Sequence, residues 1–433
     1  MNEEKLVRGI GRWDLTAVVI NCIIGAGIFG LPSKVYAQLG SYSILACVVC
    51  AVIVAVIVLC YAEVASRFSA TGGPYLYARE AFGSAVGFEV GWLYWLARVT
   101  TGAANGNLLI DYLGVFWPSI TSGGARIVLI FALGLVLTLV NLIGIKQSTV
   151  FTNIFTVGKL VPMVLFAVVG LWFIAPANFN FENVPLYGAA SVGVINLLYA
   201  FVGFEVAVIP GGEVKDPQRN FPFALLVGLA IVALLYITIQ IVSIGTLPGL
   251  ATSKTPLADA ATNFMGPIGG LVIVAGASMS ILGNLNVGLI GASRLLYAMG
   301  DRRDLPPVVA ATHPTMKTPY ISLLISSLVI LVLTVQLSFV SALAMATITR
   351  LVVYASTCVA LPIFRKKHET EAAAFIVPFG MTIPVIALLL IMWLLVSWAT
   401  TTAANEGLPL VIAAVIGLIL YFVSKVFTPR NGS

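Results

Sequence analysis

Ile23-Ile24-Gly25-Ala26-Gly27-Ile28-Phe29-Gly30-Leu31-Pro32 interrupts the first apolar segment of the chain with three glycines and a proline. The sixth apolar segment is interrupted in the same way, by Phe201-Val202-Gly203-Phe204-Glu205 and then Pro210-Gly211-Gly212. Glycine weakens a helix by its backbone freedom, and proline by its missing N–H. Lipid offers backbone groups no partner, so such weak points persist only where the freed groups meet protein or line a cavity. Two of them, five segments apart, point to a ligand site near the membrane midplane.

Composition places both breaks in a membrane. The chain has 433 residues, of which 60% are hydrophobic and 9% charged, against about 25% charged in soluble domains. Windows of about 20 apolar residues, the length that spans a bilayer, recur twelve times. Their expected spans are 13–38, 42–66, 85–113, 125–145, 152–175, 189–210, 221–246, 265–299, 319–337, 340–364, 374–400 and 408–428. The fold expected is therefore all-α and integral to the membrane, a single domain over 1–433. No small-residue cleavage site follows the first segment, which is expected to be retained.

Lys and Arg set the orientation. With the N-terminus inside, seventeen Lys and Arg residues fall on the cytoplasmic side, among them Arg12, Arg67, Arg79, Lys215, Arg219, Arg302, Arg303 and Arg365, and only Lys34, Arg126 and Lys254 fall outside. Both termini are expected to be cytoplasmic and the location a cell membrane, plasma or bacterial inner. The net charge of +6 reflects this bias and does not imply nucleic-acid binding. Five segments is an odd number, so a repeat of 13–175 in 189–364 has opposite orientation. The broken segments one and six then meet at the centre, with segments eleven and twelve (374–428) outside the repeat.

Unwinding at Gly25, Ala26 and Gly27 frees amide N–H groups at the start of a half-helix, whose positive end suits a carboxylate. It also frees carbonyls near Cys22 and Ile23. In segment six the carbonyls from Tyr199 to Val202 suit an ammonium, Gly203 permits the turn, and Tyr199 and Phe204 are placed to cover a ligand. Carboxylate donors facing ammonium acceptors fit an α-amino acid. The alternatives are a glycine pair that only lets helices pack closely and aromatics that only fill the core.

The motifs carry a specific resemblance. Gly25-Ala26-Gly27-Ile28-Phe29 with Pro32, Tyr61-Ala62-Glu63 through Thr71-Gly72-Gly73-Pro74-Tyr75, Phe201-Val202-Gly203-Phe204-Glu205, Gly212-Glu213-Val214-Lys215-Asp216-Pro217, and Ser293-Arg294 to Leu305-Pro306 run in the order seen in the amino acid–polyamine–organocation (APC) superfamily, which the chain resembles over nearly its whole length. The resemblance implies a LeuT-type 5+5 inverted repeat with broken helices 1 and 6, alternating access, and an amino-acid or polyamine substrate. It places the substrate carboxylate on the amides of Ala26, Gly27 and Ile28. Bacterial antiporter relatives have a serine where this chain has Ala26, so one hydroxyl contact is absent. The aromatic gate of those relatives matches Tyr199, their third-segment aromatic matches Tyr94, and their sixth-segment glutamate matches Glu205.

Charges inside apolar segments are costly and usually face a cavity or a partner. Lys159, in Gly158-Lys159-Leu160-Val161-Pro162, resembles the lysine of the proton-coupled branch, whose ammonium stands where sodium-coupled relatives bind Na⁺. Proton coupling is assigned to Lys159 and Glu205, the alternative being a lysine that reaches the interface or pairs with Glu205. Arg98 lies one turn from Tyr94. It either faces the substrate, where it repels cationic ligands and favours neutral or acidic ones, or forms a structural pair with Glu205. Arg350 reads as structural or gate-forming. In segment eight Ser278, Ser280, Asn284 and Asn286 are polar at membrane depth, and Asn284 joins the expected substrate contacts. Glu63, Arg67, Arg79 and Glu80, facing Glu213, Lys215, Asp216 and Arg219, suggest a cytoplasmic latch.

Proton-driven symport of neutral or acidic amino acids is thus the leading expectation, with exchange or polyamine transport next and a non-translocating receptor as a different class. No cofactor or metal is implied. Cys47-x-x-Cys50 has no second pair beside it and suits small apolar helix positions. Neither a zinc-hydrolase H-E-x-x-H, a serine-hydrolase G-x-S-x-G nor a phosphate-binding P-loop is present, and the histidines, His313 and His368, fall in loops. Substrate, protons and lipid are the expected partners, and the sequence does not indicate an oligomeric state.

Overall fold

The computed structural model describes residues 10–68, 72–143, 149–209, 214–316, 318–366, 373, 375–401 and 403–427. Thr71, Pro210, Gly211, Gly212, Glu213, His368 and both termini lie outside the described residues. Within them the regular structure is helical, with one isolated bridge between Ile10 and Val214. The first half holds α1 (Arg12–Ile23), α2 (Gly27–Leu39), α3 (Ser43–Ala65), α4 (Gly73–Phe82), α5 (Ser84–Leu113), α6 (Gly123–Ile143) and α7 (Thr149–Gly170). The second holds α8 (Tyr187–Phe201), α9 (Phe204–Ala207), α10 (Pro217–Thr246), α11 (Pro256–Asp301), α12 (Tyr320–Gln336) and α13 (Phe339–Lys366). Then follow α14 (Thr382–Thr401) and α15 (Ala403–Phe427).

Each expected segment carries helix, and both expected interruptions are present. The first falls between α1 and α2, where Ile24 turns extended (ψ 91°). The second falls between α8 and α9, with Val202 extended (ψ 163°) and Gly203 left-handed (φ 117°). Segment eight is preceded by more helix: Pro256–Asp301 is two helices joined at a kink at Gly266 (φ 70°), and the second of them starts where the segment was expected to start.

Seven helical stretches among the described residues are long and apolar enough to cross a membrane. Their distribution of polarity agrees. Val128, Leu186, Leu234, Ile268 and Leu389 stand exposed on the outside, while Glu63, Arg98, Lys159, Glu205, Gln240 and Arg350 are buried. Apolar outside and ionisable inside is the pattern of a chain whose solvent is lipid, and the protein is a multi-pass membrane protein.

Helix α5 is the central post. It packs along α13 and α11 and also touches α4 and α12. Helix α1 lies on α10 and meets α9, while α2 lies on α8, so the two interrupted elements cross beside α5. Tyr112 Oη donates to the Phe29 carbonyl at 2.7 Å, and Gln240 Nε2 donates to Ser43 Oγ at 2.9 Å, tying α2 to α5 and α10 to α3.

Several charges of the expected cytoplasmic latch have partners among the described residues. Glu63 Oε1 and Oε2 accept from Arg365 Nε and Nη2 at 2.8 and 2.5 Å, Oε1 also from Arg67 Nη2 at 2.9 Å, and Oε2 from the Val377 N–H at 2.8 Å. Arg79 pairs with Asp304 at 3.2 Å, and Arg219 with its own neighbour Asp216 at 3.9 Å. Among the described residues Glu63 is thus tied to α13, and Arg79 to the loop after α11, while Glu213 of the expected latch lies outside the described residues.

Candidate functional site

The two helix breaks touch. A Cβ on Gly203 would stand 2.3 Å from the Cys22 carbonyl oxygen, so only glycine allows this approach, and only glycine readily adopts its φ of 117°. A Cβ on Gly27 would stand 3.0 Å from both Ala200 Cα and Tyr199 Cδ1. Around this crossing lies a cavity of about 50 Å³.

Ile23, Ala26, Gly27, Arg98, Tyr199, Val202, Gly203 and Asn284 line it, all of them singled out from the sequence. Cys22 and Gly25 of the first break line it too, as do Thr101, Gly102, Asn105, Val206, Gly288 and Arg350, which were not assigned to the site. Arg98, Thr101 and Asn105 share one face of α5 at helical spacing, and that face was the signal available for Asn105. Ile28, Tyr94, Phe204 and Glu205 are buried behind the lining. Phe204 does not cover the cavity: it packs edge-on to Tyr61 (centroids 5.2 Å apart) and against Tyr354 (5.1 Å). On one side the cavity is closed by Tyr199 Oη, which donates to Asn105 Oδ1 at 3.0 Å.

Two helix ends lie beside the cavity. Gly27 and Ile28 open α2, where N–H groups have no intrahelical acceptor, and α8 ends at Phe201, leaving its last carbonyls without donors. The carbonyls at the end of α1 are not free as expected. Those of Asn21 and Ile24 each accept from Lys159 Nζ at 2.7 Å, that of Ile23 accepts from Tyr236 Oη at 3.3 Å, and that of Cys22 abuts Gly203.

The partner of Glu205 is Arg350, neither Arg98 nor Lys159. Arg350 Nε donates to Glu205 Oε1 at 3.1 Å, while Oε2 accepts from Tyr354 Oη at 2.8 Å and from the Gly203 N–H at 2.8 Å. The carboxylate so clamps the left-handed residue of the second break to α13. Both side chains are buried, Arg350 at 3% and Glu205 at 0% exposure. Arg98 Nη2 donates to Tyr94 Oη at 2.9 Å, and its guanidinium lies 5.1 Å from the Tyr94 ring centre. Among the described residues no carboxylate lies within ion-pairing distance of Arg98.

Lys159 is buried and lines a second, larger cavity of about 340 Å³ with Asn21, Asn141, Ser280 and Asn286. This chamber shares Cys22, Arg98, Val206, Asn284 and Gly288 with the first, so Arg98 stands between the two. Asn141 Nδ2 donates to Asn286 Oδ1 at 2.7 Å, bridging α6 and α11. Cys47 and Cys50 are free thiols on α3, and Cys50 donates to the Val194 carbonyl at 3.3 Å.

Known transport proteins are similar to this chain over nearly its whole length. The methylthioribose transporter of Bacillus subtilis is 27% identical over 97% of this chain and 94% of its own length. The serine/threonine exchanger of the same organism is 29% identical over 98% of each chain, and its branched-chain amino acid permease is 25% identical over 97% and 94%. The amino acid permease family, within the APC superfamily, matches residues 10–421. With that match spanning almost all of its helices, the chain belongs to the amino acid permease family.

Proposed function

We propose that the protein is a secondary active carrier that moves a neutral or acidic amino acid together with protons across a cell membrane by alternating access. Helices α1–α7 and α8–α13 form the two inverted five-segment repeats, α14 and α15 lie outside them, and both termini face the cytoplasm. The substrate carboxylate rests on the amides of Ala26, Gly27 and Ile28, and its ammonium on the carbonyls from Tyr199 to Val202. Tyr199 and Asn105 close one side. Arg98 at the cavity edge rejects cationic side chains, which disfavours polyamines and arginine.

One observation carries the coupling. The Lys159 ammonium holds the carbonyls of Asn21 and Ile24 at 2.7 Å, at the end of the half-helix that walls the cavity. Deprotonation removes the charge from these two hydrogen bonds and loosens α1, so proton release and opening of the larger chamber are one event. Glu205 acts by fixing the second break through Arg350, and does not exchange protons with Lys159. The likeness to a serine/threonine exchanger supports a second assignment, exchange of one amino acid for another without net proton movement. Proteoliposomes separate the two. A pH gradient, acid outside, drives accumulation of radiolabelled amino acid above equilibrium in a symporter. In an exchanger it drives none, and accumulation comes only from preloaded counter-substrate.

A further inference from the structure

The cavity is unbalanced in charge. Two guanidinium groups line it, Arg98 at 7% and Arg350 at 3% exposure, and one carboxylate, Glu205, is paired with the second of them. An amino acid with an uncharged side chain is a zwitterion and leaves this imbalance unchanged. A buried cation without a counter-charge is costly, and a ligand that supplies the missing anion recovers that cost.

The space beside Arg98 suits such an anion. Asn284, Gly288 and Gly291 follow one another on one face of α11. A Cβ on Gly291 would stand 3.3 Å from Arg98 Nη1, so this glycine makes room for the guanidinium. A Cβ on Gly288 would meet nothing within 4 Å, which leaves open space on the same face, with the Asn284 side chain on the cavity wall. Guanidinium offers a planar fork of five N–H donors, and the Tyr94 hydroxyl takes one. The rest match a carboxylate in two-pronged geometry.

We infer that Arg98 receives a side-chain carboxylate, so that the preferred substrate is an acidic amino acid of aspartate or glutamate type. This rests on the amino-acid carrier assignment and narrows it. With the α-carboxylate and ammonium held by the two breaks, the side-chain carboxylate extends between α5 and α11 into the space at Gly288.

Isothermal titration of the full-length protein in detergent with L-aspartate, L-glutamate, L-asparagine, L-glutamine and L-leucine tests it. The amides match the acids in shape and lack the charge. The acids are expected to bind about tenfold or more tightly than their amides, the scale of a hydrogen bond to a charged group. In Arg98→Gln that ratio falls to about one, and Arg98→Lys keeps part of it because the charge remains. Amides or leucine binding as tightly as the acids to the wild type overturn the inference while leaving the carrier assignment intact. So does an Arg98→Gln protein that loses acids and amides equally, since Arg98 then holds the α-carboxylate. Binding of none of the five overturns both.

Discussion

Lys159 Nζ lies 2.7 Å from the carbonyl oxygen of Ile24, at the residue where the first membrane helix stops being helical. A side chain of α7 thus completes a break that belongs to α1 and α2. The backbone groups that lipid cannot satisfy are satisfied by one ammonium, on a residue more than a hundred positions away.

The contact between the two breaks predicts the first outcome. Gly203→Ala forces a left-handed non-glycine residue, costing about 1–3 kcal/mol, and sets a methyl group 2.3 Å from the Cys22 carbonyl oxygen. The variant is expected to melt below the wild type in the same detergent and to lose transport. An unchanged melting midpoint contradicts the close approach.

The Glu205–Arg350 pair predicts the second. Glu205→Gln leaves Arg350 buried without its partner, and breaking a buried pair from one side costs about 3–5 kcal/mol. A double-mutant cycle of Glu205→Gln with Arg350→Met is expected to show a coupling of about 0.5–3 kcal/mol. The cycle of Glu205→Gln with Arg98→Gln is expected to show less, because Arg98 is held by Tyr94. The reverse order places the ion pair on the wrong arginine.

The sequence carried the breaks plainly, because glycine and proline inside an apolar segment have few other uses where every backbone group needs a partner. The Tyr94–Arg98 contact was also legible, since i and i+4 share a helix face. The partner of Glu205 was not. Arg350 is 145 residues away, and the pairing exists only because α13 approaches α9. The carbonyls that hold Lys159 were hidden in the same way, as backbone groups leave no mark in a sequence. Asn105 was overlooked although it shares the α5 face of Arg98 and Thr101.

Cys22 predicts the third outcome. It lines both cavities and is partly exposed, while Cys47, Cys50, Cys60 and Cys358 are buried. A small membrane-permeant methanethiosulfonate reagent is therefore expected to modify Cys22 first, seen by mass spectrometry of the intact protein. Saturating substrate slows this reaction, and Cys22→Ala removes it. Labelling of a buried cysteine at the same rate, or no protection by any transported amino acid, contradicts the placement of the substrate at the first break.

Coupling through Lys159 is the central claim, and one comparison tests it most directly. Lys159→Ala and wild-type proteoliposomes are assayed side by side for accumulation driven by a pH gradient and for counterflow of preloaded amino acid. The variant is predicted to lose gradient-driven accumulation while retaining counterflow, because the site at the two breaks survives and only the proton-sensitive tie to Asn21 and Ile24 is gone. Accumulation at the wild-type level, or loss of counterflow together with accumulation in a correctly folded variant, contradicts it.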